Sequence, residues 1–418
     1  MVEIRKPIKV KDAVNQVMEH VKRTPIIEID YLQSYGYSLA EPIVAKHDVP
    51  SFHRSPYDGF AIRSQDSIGA SGDNRIPFQV IDHIGAGHVS TKQLQPYEAI
   101  RIMTGAPIPE GADAIVMLEQ TVEQGNSFSI RKPFAPYENV SLKGEDAKEG
   151  ELLIQEGSFI HPGTIALLAT FGYTKVKVHQ KPSVGIICTG TELVSPHEEL
   201  APGKIRNSNG PMVETQLTRM GITGTSYGFF TDELDNCLAL VKKALAENDC
   251  VITTGGVSVG DFDYLPEIYQ RLGAKVLFNK IAMRPGSVTT VATLDGKLLF
   301  GLSGNPSACY TGFELFVRPA IQRMMGNKRP FLPHFKARLI EDILKPNPFT
   351  RFIRSVFHFD GMNAYATPAG FNKSNAVTSI AKGNAFIVLP GGTRNFQQGD
   401  VVDILLLGVE EGVDEWTI

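Results

Sequence analysis

The chain has 418 residues, 42% of them hydrophobic and 21% charged, a globular composition on a length too great for a single hydrophobic core. A formal charge of −4 without basic excess argues against a nucleic-acid binder, and no apolar run reaches the roughly 18 residues that a membrane span requires. The opening stretch MVEIRKPIKV lacks the apolar segment of a secretory signal, and Cys188, Cys237, Cys250 and Cys309 stand far apart with no CxxC pair, so reduced, buried thiols in a cytoplasmic protein are expected.

Val10, Val14, Val17 and Val21 recur at helical spacing and predict an amphipathic helix over 10–21. From about 46 to 146 the chain breaks into short apolar pieces separated by Gly, Pro and Asp, which predicts a small β-rich insertion. GELLIQEGSFIHPGTIALLATFG (150–172) then resumes a strand and a helix beside the first segment, so the expected stem domain is discontinuous, 1–45 plus 147–180. Residues 181–330 alternate strands and helices. SVGIICT reads as a strand and GPMVETQLTRMG as a helix closed by Gly221; Leu234, Cys237, Leu238, Val241 and Leu245 make the buried stripe of another. CVITT, SVTTVATL and KLLFGL follow as strands. One long helix is predicted from Asn305 to Gly326, capped by Asn305, opened by Pro306 and kinked at Pro319. Such alternation implies a mostly parallel sheet covered on both faces. Beyond 331, short strands between turn signals predict a C-terminal β-barrel or sandwich over 331–418. The fold class is therefore multi-domain α/β: a central α/β module with a mostly parallel sheet, a β-rich inserted domain at 46–146, a helical and β stem, and a C-terminal barrel.

Ligands of open α/β sheets bind beyond the carboxyl ends of the strands, and three strand ends here carry turn-rich strings. In CVITTGGVSVGDFDY, Gly255, Gly256 and Gly260 permit positive φ and close backbone approach, and the N–H groups of the turn through Ser258 can cradle an oxyanion. This loop is neither a Walker A loop nor GxGxxG. Asp261 reads equally as a helix cap or a ligand. Asp263 reads beyond capping: in an extended segment residues i and i+2 point the same way, and both carboxylates reach one Mg²⁺. In a helix they would diverge by about 200°. CTGTEL places Gly190 and Glu192 at the second strand end, where Glu192 either caps a turn or orients a ligand. GLSGNPSA leads Ser303, Gly304, Asn305 and Pro306 into a helix N-terminus, which favours anions. Lys280 and Arg284, four apart in NKIAMRPGSV, read either as solvated surface charges or as a phosphate clamp. The convergence of these strings predicts a pocket for phosphate or another oxyanion.

TGTEL, TTGGVSVGDFDY and GLSGNPSA, in this order and spacing, resemble the MoeA family of molybdenum cofactor synthesis proteins, whose module also occurs in the E domain of gephyrin. SPYDGFA (55–61), RIMTGAPIPEGADAIV (101–116) and GED (144–146) extend the resemblance to about residues 7–408. It implies an elongated four-part subunit, a homodimer whose cleft is completed between subunits, and molybdopterin adenylyltransferase as pathway partner. The implied activity is that of a molybdopterin molybdenumtransferase, which converts adenylylated molybdopterin and molybdate, with Mg²⁺, to molybdenum cofactor and AMP. Both substrates are anionic, so such a site needs metal and cationic clamps rather than a nucleophile. The resemblance puts catalytic roles on Asp58, Thr104, Asp146 and Asp232, and metal or nucleotide-proximal roles on Glu192, Asp261 and Asp263. It further implies that Asp58 and Thr104 act across the dimer cleft, whereas by themselves YDGF and Thr104-Gly105 read as ordinary turns. A family serine falls on Thr378 or Ser379.

Departures are specific. Ser287 stands where many relatives have lysine, Ser303 where they have proline, and Arg284 where lysine is frequent; arginine keeps the charge and adds a bidentate fork. The rival readings are a non-catalytic scaffold or cofactor-binding protein, a molybdopterin adenylyltransferase, and an enzyme using tungstate. The retained acids at 58, 146, 192, 232, 261 and 263 argue against the scaffold, and the insertion and barrel argue against the adenylyltransferase.

Overall fold

A computed structural model describes residues 6–230, 234–256 and 264–408. The chain forms two compact units: Met1–Glu41, Gly157–Ile165 and Lys175–Ile418 make the first, Pro42–Glu156 and Ala166–Thr174 the second.

In the second unit six strands form one mixed sheet in the order Ala114–Met117, Gly59–Ile62, Glu98–Ile102, Ile76–Ile84, Ser127–Ile130, Thr121–Gln124. Neighbours are antiparallel except Ile76–Ile84 beside Glu98–Ile102. Period-two alternation buries Phe60, Phe78 and Phe128 in one cluster and Ala61, Ile100 and Ile115 in another, so both sheet faces carry a core. The Phe128 ring stacks on Phe60 at 3.9 Å and on Phe78 at 5.4 Å. Ile43–Val44 pairs antiparallel with Leu152–Ile154, joining the two ends of the interrupted segment within this unit.

The first unit holds a six-stranded sheet in the order Gly224–Phe230, Val184–Thr189, Cys250–Thr254, Lys297–Leu302, Thr290–Leu294, Lys275–Phe278. The first four strands are parallel and the last two antiparallel. The antiparallel turn has a local cause: Asp295 and Gly296, φ 52° and 81°, form the two-residue loop between paired Leu294 and Lys297. Val213 and Leu217 of the helix Asn209–Arg219 pack in one core cluster, and Cys237, Val241 and Leu245 of Leu234–Glu247 in another, the two layers expected of a covered parallel sheet. The helix Val10–Glu19 seats Ala13 and Val17 in the first of these clusters.

The long helix expected from Asn305 is not continuous. It runs as an α-helix Pro306–Gly312, a π-helical stretch Phe313–Val317 and a second α-helix Arg318–Met324. Pro319 has no N–H to donate one turn back, and the wider π turn just upstream accommodates the missing bond. Asn305 occupies the N-cap position with extended backbone, but its side chain makes no capping bond.

Five C-terminal strands close into a barrel, settling the choice between barrel and sandwich: Thr350–Asp360, Asn363–Pro368, His334–Leu339, Val401–Leu406, Ala385–Leu389, and back to the first. Ile353, Phe357, Ala366, Ile387 and Ile404 fill it. Met283–Arg284 adds a short parallel strand to Thr350–Asp360 and sets Arg284 opposite Arg351. The four cysteines are buried and form no disulfide. Among the described residues no helix is long and apolar enough to cross a membrane.

Candidate functional site

Val184–Thr189, Cys250–Thr254 and Lys297–Leu302 are adjacent and parallel, so the loops that follow them leave the same sheet edge. Together these loops line a cavity of about 760 Å³, within the range of small-molecule sites, with Gly190, Glu192, Gly255, Gly256, Ser303, Gly304, Asn305 and Pro306 in its wall. Gly255 has φ +90°, and a Cβ there would lie 2.6 Å from both the carbonyl oxygen and Oγ1 of Thr189, so only glycine allows the two loops to approach. The Thr189 hydroxyl donates to the Thr254 carbonyl at 3.1 Å, tying these strand ends together. Asn209 Nδ2 donates to the Gly304 carbonyl at 2.8 Å, and the Asn305 N–H donates to Ser303 Oγ at 3.2 Å, which hold the third loop. Glu192 is exposed and supplies the only carboxylate among the described residues of this wall.

A second cavity of about 510 Å³ adjoins the first, sharing Val288, Ser303, Asn305 and Asn375 with it. Arg284, Lys345, Arg351 and Lys373 line it, and its described wall contains no Asp or Glu. None of the four cations forms an ion pair among the described residues. Burial, and then repulsion from Arg284, hold the Arg351 guanidinium below its ordinary pKa. Arg354, 1% exposed, lies in the same strand, two positions beyond Phe352 of the wall. Its Nε and Nη2 donate to Ser379 Oγ at 3.3 and 3.2 Å, and Nη2 donates to the Lys373 carbonyl at 3.0 Å. Burial first and Arg351 second push its pKa down to about 10, which leaves it charged at neutral pH. Arg284 beside Arg351 and Arg351 near Arg354 make a cluster of like charge that a bound anion would relieve.

In the second unit, Asp58 Oδ1 accepts the Thr104 backbone N–H at 2.7 Å and the Thr104 hydroxyl at 2.9 Å. These two bonds, the backbone one first, hold the exposed carboxyl below the usual aspartate range. The Asp58-Gly59 pair is more than a turn: Gly59 opens a central strand, and a Cβ there would lie 2.1 Å from the Val116 carbonyl oxygen. Thr104 borders a cavity of about 550 Å³ with Arg54, Tyr57, Ser141 and Glu145.

The structure thus gathers Gly190, Glu192, Gly255, Gly256 and Ser303 to Pro306 around one cavity, adds Arg284 from the next, and joins Asp58 to Thr104. Other expected residues stand apart. Lys280 lines neither of these two adjoining cavities, and its carbonyl accepts the Ile8 N–H. Ser379 is fully buried and fixes Arg354 rather than lining the pocket, while Thr378 is exposed. Asp146 is exposed, with its N–H donating to the Val49 carbonyl, and is not part of the cavity at Thr104. Asp232, Ser258, Gly260, Asp261 and Asp263 lie outside the described residues. Sequence reasoning missed Lys345, Arg351, Arg354 and Lys373. The available signal was weak, two arginines three apart in RFIRSVFHFD, because a cation on a strand ordinarily reads as a solvated face. Among the described residues no group of three or more His, Cys, Asp or Glu side chains is placed to hold a metal.

Comparison with known proteins bears on this arrangement. The family model for the MoeA N-terminal region (domain I and II) matches residues 8–172, that for the "Probable molybdopterin binding domain" residues 185–323, and that for the MoeA C-terminal region (domain IV) residues 336–407. The chain is 57% identical over 405 residues to a molybdopterin molybdenumtransferase of Staphylococcus epidermidis, covering 97% of each chain. It is 55% identical over 415 residues to one of Staphylococcus aureus, covering 99% of each. Its fold matches that of a molybdopterin biosynthesis moeA protein from Pyrococcus horikoshii with a TM-score of 0.83 at 29% identity, over 96% of this chain and 100% of the other. In sequence, domain content and fold, the chain belongs to the MoeA family.

Proposed function

We propose that this chain is a molybdopterin molybdenumtransferase, which inserts molybdate into adenylylated molybdopterin, releases AMP and yields molybdenum cofactor. The observation that carries the proposal is the pair of adjoining cavities. One is sized for a nucleotide and built from three loops at one sheet edge; the other is lined by four cations and, among its described residues, no acid. The first suits the adenylyl end of the substrate and the second a tetrahedral dianion, and the shared wall at Ser303, Asn305 and Asn375 brings the two together. The phosphoanhydride is cleaved as AMP leaves, and the oxyanion is delivered to the dithiolene. The chain contributes by holding two anions side by side against their repulsion, so positioning and electrostatic stabilisation carry the rate.

Mg²⁺ suits this site because the donors are carboxylates. Glu192 in the cavity wall, with Asp261 and Asp263, would hold it, and it would neutralise charge on the phosphate oxygens. Asp58, Thr104, Asp146 and Asp232 are assigned to substrate or water contacts, with Asp58 and Thr104 acting in the cleft of a homodimer. The four-part division, with a stem of 1–45 plus 147–180, an insertion at 46–146, a module at 181–330 and a barrel at 331–418, belongs to the same reading. So do cytoplasmic location and a molybdopterin adenylyltransferase as the upstream supplier.

Purified protein given Mg²⁺, molybdate and adenylylated molybdopterin should release AMP and produce a cofactor that activates an apo-molybdoenzyme; parallel reactions with tungstate test the choice of oxyanion. Asp263→Ala should lower AMP release at least about 100-fold with an unchanged circular dichroism spectrum. Full activity in that variant would remove the metal assignment.

A further inference from the structure

The four cations of the 510 Å³ cavity come from separate stretches of chain. Arg284 lies between the module's strands Lys275–Phe278 and Thr290–Leu294, and Arg351 lies beside it on the long barrel strand Thr350–Asp360. Lys345 stands in the loop between His334–Leu339 and Thr350–Asp360, and Lys373 in the loop between Asn363–Pro368 and the short helix Thr378–Lys382. Both lysines are exposed, but their loops are fixed. The Asn347 N–H donates to the Thr393 carbonyl at 2.8 Å, and the Gly392 N–H to the Asn347 carbonyl at 2.6 Å. The Lys373 carbonyl accepts Arg354 Nη2, the Ser374 carbonyl accepts the Ser307 N–H, and the Ala376 carbonyl accepts the Ser307 hydroxyl at 2.6 Å. Two ammonium groups therefore rise from anchored stems at a cavity that also holds two guanidinium groups, Arg351 half-buried and Arg284 exposed. Ser287, in the same wall, brings no charge.

We propose that Lys345 and Lys373 are oxyanion-binding residues of this site, so that the C-terminal barrel supplies three of the four cations that collect the tetrahedral dianion. The inference rests on the reading of the cavity given above and extends it to residues outside the strand-end loops. Arginines fix an anion through bidentate forks, whereas lysines act as movable point charges. The arrangement divides the work accordingly. Arg284 and Arg351 orient the guest through their forks, and the two lysines add positive charge from the barrel loops and raise its local concentration.

The test uses Lys345→Ala, Lys373→Ala, the double variant, and Lys345→Arg and Lys373→Arg, with Lys336→Ala as a control on the barrel away from the cavity. Each alanine variant should raise the KM for molybdate by about fivefold, and the double variant by more. The kcat and the KM for the adenylylated substrate should stay within about twofold, because only oxyanion binding is altered. The arginine variants should recover most of the loss, and the effect should shrink as salt is raised. A direct calorimetric titration of each protein with molybdate alone runs alongside. Equal molybdate affinity in the parent and double variant overturns the proposal; weaker affinity in the double variant with the control unchanged supports it. A parent that releases no AMP would overturn the transferase reading instead, and the titration would still decide the role of the lysines.

Discussion

Asp58 faces solvent, yet one of its oxygens takes two hydrogen bonds from Thr104. An isolated Asp-Gly would make a turn. Here the glycine enters a crowded central strand, and the acid is left at the strand's mouth with its charge stabilised. A carboxyl whose folded pKa lies below the unfolded one adds stability above the unfolded value and loses it as pH falls through the folded value. The tie between Asp58 and Thr104 therefore persists at neutral pH and dissolves only in acid below 3.8. Carbon-detected NMR titration should find Asp58 below 3.8 in the parent protein. In Thr104→Val it should rise part of the way, because the backbone N–H, the larger cause, remains. An unmoved pKa in that variant would mean that the hydroxyl bond is absent in solution. The motif SPYDGFA and the threonine at 104 are visible in the sequence, but their meeting across 46 positions is not.

Periodicity identified most helices and strands of the α/β module, because buried stripes at 3.6 and continuous apolar runs are one-dimensional signals. It did not reveal where a helix changes its winding. The stretch from Pro306 to Met324 keeps a helical apolar pattern throughout, while Pro319 imposes a π turn that only the packed backbone displays. In the insertion, strand candidates were legible but not their order, since cross-strand neighbours are chosen by packing. The stack of Phe60, Phe128 and Phe78 is the organising contact there. Phe128→Ala should destabilise this unit by about 3–5 kcal/mol. The expected readout is faster amide exchange in Ile76–Ile84 and Ser127–Ile130 and a lower denaturation midpoint. Unchanged exchange in those strands would show that the stack does not hold the sheet together.

A homodimer with a shared cleft makes a prediction about mixtures. If Asp58 of one copy serves the site of the other, Asp58→Ala and Asp263→Ala proteins, each inactive, complement each other when subunits are exchanged. Random pairing makes half the dimers mixed, each with one intact site, so about a quarter of the parent activity should return. No recovery would place both residues in a site built from one chain.

Composition, periodicity and the three strand-end strings sufficed, by themselves, to indicate a multi-domain α/β chain with a cavity at a sheet edge. Those features are local, and local chemistry is written residue by residue. The cationic cavity is different. Arg284 stands out in the sequence, but Lys345, Arg351 and Lys373 do not, and the four meet because a two-residue strand pairs with the barrel and two barrel loops are held at the same cavity. Their convergence arises from long-range pairing, which no short window of sequence contains.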